Sequence, residues 1–244
     1  NGTFPLIRDI SYYNKRYWAS VFAMTATDGR IYTASVDLDN PFNGLDFIRY
    51  DPKTEQITIL PKIPSLASNP KAVYITEKYL YYEGGYYILP GIGYQNVPQR
   101  YRYDFDKNIW ETIDSNSDTY YLSYPKDPVF SHNNTLYRVT IDVEFSDKLL
   151  QRFDKASEVW ETVKKIINPF NFQGNEVFII DGYAYFLLDS HILRMDLSTW
   201  EEKILPIPMS GFAHRYSFQI DGKFYVLNGR RGHTYEFDPK LFPQ

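Results

Sequence analysis

Short runs of alternating apolar and polar residues follow one another along the whole chain, and tight polar turns separate them. The stretch 102–113 (RYDFDKNIWETI) shows the pattern: the end of one strand, a turn rich in Asp and Asn, and the start of the next strand. A period of two over short runs is typical of strands that are buried on one side. No helical period lasts longer than a turn or two. The pattern therefore predicts an all-β protein.

Two turn patterns recur in phase. The first is an Arg-x-Asp turn, and the residue before its Asp is Tyr50, Tyr103, Phe153, Met195 or Phe237. In the last repeat Glu236 replaces the Arg. The Asp side chain of such a turn accepts a hydrogen bond from the backbone two residues on. The second is a polar pair before an aromatic strand: Asp28-Gly29, Glu77-Lys78, Asn133-Asn134, Asp181-Gly182 and Asp221-Gly222. The Asp-Gly and Asn-Asn pairs supply the positive φ of a two-residue hairpin.

Each repeat holds about four strand-like runs, which is the content of one propeller blade, and periods of about 40–50 residues are typical of propellers. We predict one all-β domain over 1–244, a five-bladed β-propeller of four-stranded antiparallel blades. Its repeats are 17–64, 65–117, 118–167, 168–208 and 209–244. The segment 3–10 is expected to complete the last blade and close the ring, leaving no unpaired blade edge. A disordered N-terminal tail and a fragment of a longer propeller are the alternatives.

The net charge and the composition limit the classes of partner and of site that are expected. A net charge of −4 with mixed signs argues against a nucleic-acid surface. No apolar run approaches the roughly 20 residues that span a bilayer. The chain has no Cys, which excludes disulfides and thiolate sites. The sequence predicts no cofactor or metal site, and a monomer is expected.

The compartment stays open, with secretion slightly favoured over the cytoplasm. The chain starts at Asn1, as after removal of a signal peptide or after trimming. The triplets 1–3 and 133–135 match the glycosylation acceptor pattern.

Several motifs resemble a kelch repeat. Pro208-Met209 resembles its lead-in, Gly84-Gly85 its glycine pair, and Tyr103-Asp104 with Trp110 its last hairpin. The first, third and fourth repeats lack the glycine pair, and kelch propellers usually have six or seven blades. The resemblance implies a β-propeller that most often binds another protein, with a minority of enzymes.

The repeated charges and Trp residues favour structural roles. Arg49, Arg102, Arg152 and Arg194 are expected to pair with residues such as Glu111, Glu161 and Glu201 across the last two strands of each blade. The Trp residues are expected to pack between blades.

The long connections between the second and third strands of a repeat are the informative segments, since loops on a rigid scaffold commonly carry function. They cover 37–46, 84–98 and 142–148, together with the last repeat's short basic loop. We predict a binding face on these loops that comprises Tyr86, Tyr87, Leu89, Tyr94, Asp142, Glu144, Arg230, Arg231 and His233. The alternative for 86–89 is a simple extension of the second blade's sheet.

Two functions remain open. The leading hypothesis is a non-enzymatic binding module for a protein or peptide, because Tyr and Arg are common anchors of such interfaces and no catalytic motif is found. The alternative is a carbohydrate-active propeller, either a lectin or a glycosidase, which would use carboxylates such as Asp37, Asp142, Glu144 and Asp189 near the central channel.

Overall fold

The structure is a computed structural model that describes residues 20–36, 43–89, 93–115, 127–141, 147–167, 177–188, 191–206, 214–220, 223–228 and 233–241. The described residues form antiparallel β-sheets and one short 3₁₀ helix, Pro239–Leu241.

Each repeat supplies one sheet, whose strands follow one another in chain order. The first sheet consists of β1 (Ser20–Thr25), β2 (Ile31–Val36), β3 (Leu45–Asp51) and β4 (Gln56–Ile63). The second consists of β5 (Ala72–Ile75), β6 (Tyr79–Glu83), β9 (Gln99–Asp104) and β10 (Ile109–Ser115). A separate hairpin, β7 (Tyr86–Leu89) and β8 (Gly93–Asn96), lies in sequence between β6 and β9.

The later repeats follow the same order. The third sheet consists of β11 (Val129–His132), β12 (Thr135–Ile141), β13 (Lys148–Asp154) and β14 (Val159–Ile166). The fourth consists of β15 (Val177–Ile180), β16 (Tyr183–Leu187), β17 (His191–Asp196) and β18 (Glu202–Pro206). The fifth consists of β19 (His214–Ile220), β20 (Lys223–Asn228) and β21 (His233–Phe237).

The prediction of an all-β, propeller-like fold built from four-stranded antiparallel sheets is confirmed. The predicted number of complete blades is wrong: the described residues form four four-stranded sheets, and the fifth sheet has three strands. The fifth sheet has three because no fourth strand among the described residues pairs with β21. The segment 3–10, predicted to supply that strand, lies outside the described residues.

The chain divides into two compact units, 1–122 and 123–244. The first unit contains the first two sheets and the β7–β8 hairpin, and the second unit contains the other three sheets. Inside the first unit β1 lies against β5 and β4 against β10, and inside the second unit β11 lies against β15. Corresponding strands of consecutive sheets thus lie side by side. A single domain over the whole chain stays a prediction.

The core of the first unit is an aromatic layer between its two sheets. Phe47 of β3 is fully buried. Its ring lies 5.1 Å from that of Tyr103 on β9 and 5.2 Å from that of Trp110 on β10. Large rings such as these bury the most apolar surface per residue and favour the edge-on contacts seen here. The high aromatic content therefore explains how two small sheets form a core.

Both faces of the fourth sheet are buried in the second unit. The alternation of side chains along a strand places Ala184 and Phe186 of β16 on one face and Tyr185 and Leu187 on the other. Phe186 packs against Phe130 of the third sheet, with ring centres 5.7 Å apart, and Tyr185 packs against Phe237 of the fifth at 5.3 Å. Burial on two sides explains why this strand is a nearly continuous apolar run.

The turn predictions are confirmed for the Arg-x-Asp turns and for the hairpins at 133–134 and 181–182. The prediction of a two-residue hairpin at Asp28-Gly29 is wrong, because β1 and β2 pair only as far as Thr25 and Ile31 and Asp28 does not have positive φ. The Asp Oδ1 of every Arg-x-Asp turn accepts a hydrogen bond from the backbone N–H two residues on, at 2.8–3.0 Å: Asp51, Asp104, Asp154, Asp196 and the corresponding Asp238. Asn133 and Asn134 both have positive φ, at 49° and 57°, and so do Asp181 and Gly182, at 50° and 80°. These angles are those of the two-residue hairpins that the sequence predicts.

Candidate functional site

The β7–β8 hairpin is the element that brings most of the predicted binding residues together. Tyr86 and Tyr87 lie on β7 and are partly buried. Leu89 ends β7, and Tyr94 lies on β8. The two strands of the hairpin form a ladder that backbone hydrogen bonds of Gly84 and Gly85 join to the β6–β9 ladder, and the pairing register shifts by one residue between the two. The hairpin therefore continues the two middle strands of the second sheet beyond the glycine pair, which agrees with the alternative in which 86–89 extends the blade.

Backbone hydrogen bonds hold the root of the hairpin on two sides. The Tyr86 N–H donates to the carbonyl of Asn69 at 3.1 Å, and the Asn69 N–H donates to the carbonyl of Tyr86 at 3.0 Å. Across the stem, the Gly84 N–H donates to the carbonyl of Gln99 at 3.0 Å, and the Val97 N–H donates to that of Gly85 at 2.8 Å. The hairpin is thus joined to the segment before β5 as well as to the ends of β6 and β9.

Glycine is required at this root. Gly84 and Gly85 have φ of 45° and 108°, and an added Cβ on Gly85 would lie 2.1 Å from the carbonyl oxygen of Asn69. No real Cβ makes such a contact, so only Gly lets the two backbones approach this closely. The glycine pair on which the kelch resemblance rests therefore has a local packing function in this repeat.

A buried charged network lies beside the same root. Glu83, the last residue of β6, is 3% exposed, and Arg100 on β9 is 5% exposed. Glu83 Oε1 accepts hydrogen bonds from Arg100 Nε at 3.2 Å and Nη2 at 3.0 Å, and from the hydroxyl of the fully buried Tyr74. The Tyr74 ring is stacked on Tyr81, with centres 4.7 Å apart. These residues link β5, β6 and β9 at the point where the hairpin leaves the sheet.

The charge balance inside the network keeps Arg100 protonated. Burial by itself lowers the pKa of Arg100, but the Glu83 carboxylate and the hydrogen bonds with Tyr74 and Glu83 outweigh it, so the pKa is raised above its usual value. A buried guanidinium is stable only when such a partner accepts its hydrogen bonds. The network is therefore an ion pair with no free ionised group.

Comparison of the five sheets shows that this network replaces an apolar cluster. Glu83 lies opposite Arg100, and the same register position holds apolar pairs in the first, third and fourth sheets. These pairs are Ala34–Phe47, Val139–Leu150 and Leu187–Ile192. The residues that correspond to Tyr74 are Met24, Phe130, Phe178 and Phe218, none of which has a hydroxyl. The second sheet alone among the five places an ion pair and a hydroxyl there.

The sequence analysis missed Tyr74, Glu83 and Arg100, although the sequence contains a signal for them. Arg100 lies four residues before the Asp of its Arg-x-Asp turn, at Asp104. The residues at the same offset in the other repeats are Phe47, Leu150, Ile192 and Thr234. An alignment of the repeats on the turn Asp would therefore have singled out one charged residue among uncharged ones.

The other predicted binding residues are not brought to this hairpin by anything that the structure describes. Asp142, Glu144, Arg230 and Arg231 lie outside the described residues, as do Asp37 and Asp189 of the carbohydrate hypothesis. His233 is the first residue of β21. The full binding face therefore stays a prediction, and its described part is the hairpin.

The predicted charge pairs across the third and fourth strands are confirmed in two sheets. Arg102 pairs with Glu111 and Arg152 with Glu161, each at 2.8 Å. The predicted Arg194–Glu201 pair is wrong, because Arg194 lies opposite Lys203. The turn itself has the same length as in the second repeat, with positive φ four residues after the Asp, at Asn108 and at Trp200. The cause is that Trp200-Glu201 follows its Asp two residues sooner than Trp110-Glu111 does, so Lys203 takes the position opposite the Arg.

The predicted packing of Trp residues between sheets is confirmed for two of them. Trp110 contacts Phe47 of the first sheet, and its Nε1–H donates to the carbonyl of Pro61 at 3.0 Å. Trp200 lies 5.0 Å from the ring of Tyr137 in the third sheet. Trp160 packs within its own sheet, where the guanidinium of Arg138 lies 4.6 Å above its ring. Trp18 lies outside the described residues.

The described residues contain neither a metal site nor a membrane-spanning helix. No group of three or more His, Asp or Glu side chains in them is placed to hold a metal ion. None of the helical residues in the same ranges forms a segment long and apolar enough to cross a membrane.

Comparison with known proteins identifies the fold and no family. No protein-family model matches the chain, and no curated protein is significantly similar to it. The chain is similar to a solved structure titled "Structure of YjhT", with a TM-score of 0.59 and 13% sequence identity. The match covers 83% of this chain and 70% of that one. At this identity the likeness shows a shared fold alone, which agrees with the propeller-like sheets described above.

Proposed function

We propose that this protein is a non-enzymatic binding module, a kelch-like propeller that captures a protein or peptide with the β7–β8 hairpin. The observation that carries the proposal is that the segment 84–98 extends the second blade by a hairpin whose root is held by backbone hydrogen bonds on both sides. The segment contains three Tyr and no charged residue, in a chain in which charged residues make up 23%.

The composition of the hairpin suits recognition of a peptide. Tyr supplies a large, stiff contact surface with a hydroxyl for hydrogen bonding, and Gly, Asn and Gln supply adaptable polar contacts, as in antibody loops. Tyr is also enriched among the residues that dominate interface energies. An uncharged hairpin implies a contact whose strength depends little on salt.

The proposal includes the predicted charged flanks and ring closure. Asp142, Glu144, Arg230, Arg231 and His233 would flank the hairpin contact on neighbouring loops. The segment 3–10 would add the fourth strand beside β21, the place that the fourth strand takes in the other sheets. The three-stranded fifth sheet supports this last point, because it is one strand shorter than the others.

The test starts from a library of random peptides displayed on phage, selected against the whole chain. The Kd of a selected synthetic peptide is then measured for wild type and for Tyr86→Ser/Tyr87→Ser. We expect the double variant to weaken binding by about tenfold or more. The matched control is Ile57→Ser/Ile59→Ser on β4, whose side chains are 46% and 67% exposed in the same unit, and it should bind normally. Equal affinity of all three proteins would rule out the hairpin.

Two further measurements test the predicted basic loop and the carbohydrate-active alternative. Arg230→Glu/Arg231→Glu should abolish peptide capture while leaving the melting temperature nearly unchanged; binding that survives this change would remove the basic loop from the face. A glycan array and a panel of chromogenic glycosides test the carbohydrate-active alternative. Binding or cleavage of a glycan, with no peptide selected, would replace the proposed function by that alternative.

A further inference from the structure

The ion pair at the root of the hairpin is not explained by stability. A buried ion pair is often no more stabilising than apolar residues of similar size, because the charges lose their hydration. The first, third and fourth sheets show that the same strand positions accept apolar pairs, such as Leu187 opposite Ile192. The second sheet nevertheless combines Glu83, Arg100 and the Tyr74 hydroxyl.

What distinguishes the second sheet is the segment that its strands carry. The connection between its second and third strands covers 84–98, fifteen residues with a hairpin of their own. In the other sheets the corresponding connections are 37–44, 142–147, 188–190 and 229–232, all shorter. Glu83 directly precedes this connection, and a single residue, Gln99, lies between its end and Arg100. The charged network therefore joins both ends of the longest connection across the stem.

We propose that the Tyr74–Glu83–Arg100 network is a clamp that holds the β7–β8 hairpin in its binding position. The directional hydrogen bonds on Glu83 Oε1 set the geometry of the two stem strands, whereas an apolar contact would tolerate sliding. The Tyr74 hydroxyl on β5 donates to the same Glu83 oxygen. The segment just before β5 contains Asn69, whose backbone is hydrogen-bonded to that of Tyr86. The inference rests on the proposed function as far as binding is concerned, and its structural part can be tested without a ligand.

All three residues are positioning residues, because their burial keeps them from contact with a partner. A hairpin that is held in place before binding loses less conformational freedom on binding. If the clamp opens, the apparent affinity falls by the fraction of molecules in which the hairpin is in place. The clamp therefore acts on affinity through the hairpin's position.

The test replaces the whole network by apolar residues, as Tyr74→Phe, Glu83→Leu and Arg100→Met together, which leaves no unpaired charge. Hydrogen exchange of the backbone amides is followed by mass spectrometry of peptic fragments. We expect exchange in 84–98 to accelerate by about tenfold or more, with unchanged exchange in β2 and β3 of the same unit. The Kd for the selected peptide should rise by the factor by which the fraction of molecules with the hairpin in place falls.

Each outcome of the exchange experiment either supports the clamp or overturns it. Unchanged exchange in 84–98 overturns the clamp, and faster exchange throughout the first unit does so as well, because it shows a merely structural role. Faster exchange confined to 84–98, with no peptide binding by wild type, supports the clamp and rejects the proposed function. Should the triple variant fail to fold, Tyr74→Phe alone removes one hydrogen bond from Glu83. It must then accelerate exchange in 84–98 selectively, or the clamp is wrong.

Discussion

Replacing Gly85 by Ala tests whether the close approach at the root of the hairpin is real. Gly85 has φ of +108°, and an added Cβ would lie 2.1 Å from the Asn69 carbonyl oxygen and 2.7 Å from Pro70 Cα. Both neighbours are backbone atoms, which cannot rotate away as a side chain can. The substitution must therefore strain residue 85 and push the segment 69–70 away from β7.

The size of the effect follows from these two contributions. Strain at a backbone angle rarely adopted by L residues costs roughly 1–3 kcal/mol. Separation of Asn69 from Tyr86 weakens two hydrogen bonds, of 3.0 and 3.1 Å. Each contributes about 0.5–1.5 kcal/mol to stability. The free energy of unfolding should thus fall by about 2–6 kcal/mol in total.

Gly29→Ala is the matched control. Gly29 also has positive φ, at +81°, but an added Cβ meets nothing within 4 Å. Gly29→Ala should lower the free energy of unfolding through backbone strain alone, by about 1–2 kcal/mol. Urea unfolding of the two variants and wild type measures both losses, and hydrogen exchange should show the Gly85→Ala damage in 64–70 and 84–98. Equal losses for the two variants would refute the close approach, and with it the fixed root of the hairpin.

Two further predictions test the aromatic core and the turns. Trp110→Ala removes the contact with Phe47 and the hydrogen bond to Pro61, and thermal unfolding should show a loss of about 3–5 kcal/mol. Ile59→Ala, at a side chain 67% exposed, is the control and should cost far less; similar losses would contradict the proposed core. Hydrogen bonds within the turns lower the pKa of Asp51, Asp104, Asp154 and Asp196 below the usual 3.8, and at Asp196 the Ser198 hydroxyl is the main donor. A carboxyl with a lowered folded-state pKa contributes stability that is fully present above its unfolded-state pKa, and the contribution is lost as the pH falls through the folded-state pKa. Urea unfolding between about pH 5 and pH 2 should therefore show falling stability, and Asp196→Asn, which cannot titrate, should lose less over that range than wild type; an equal loss would contradict the assignment.

Local patterns in the sequence were sufficient for the elements and their turns. The Asp residues of the Arg-x-Asp turns, such as Asp104 and Asp154, accept the backbone hydrogen bonds that were predicted from residue type alone. The Arg102–Glu111 and Arg152–Glu161 pairs followed from the repeat and the strand order. These features depend on residues close in sequence, or on one hairpin, and so can be predicted without knowledge of the rest of the fold.

The failures lie where a local pattern changes register or length. Glu201 was expected opposite Arg194, but the fourth repeat keeps the strand register of the others while its Trp-Glu pair comes two residues sooner, so Lys203 lies opposite Arg194. The fifth sheet was expected to gain its fourth strand from 3–10, which lies outside the described residues, and the described residues form three strands. A shift of a single residue changes which side chains face each other, and composition does not reveal it.

By itself the sequence determined that the chain forms repeated antiparallel sheets with an uncharged, Tyr-rich connection in the second repeat. Only the tertiary structure decided that this connection is a hairpin that extends the β6–β9 ladder and is rooted against Asn69, and that Glu83, Arg100 and Tyr74 form a buried network beneath it. The physical reason is that turns and strand periodicity come from neighbours along the chain, whereas burial and the pairing of distant charges depend on which strands meet in space.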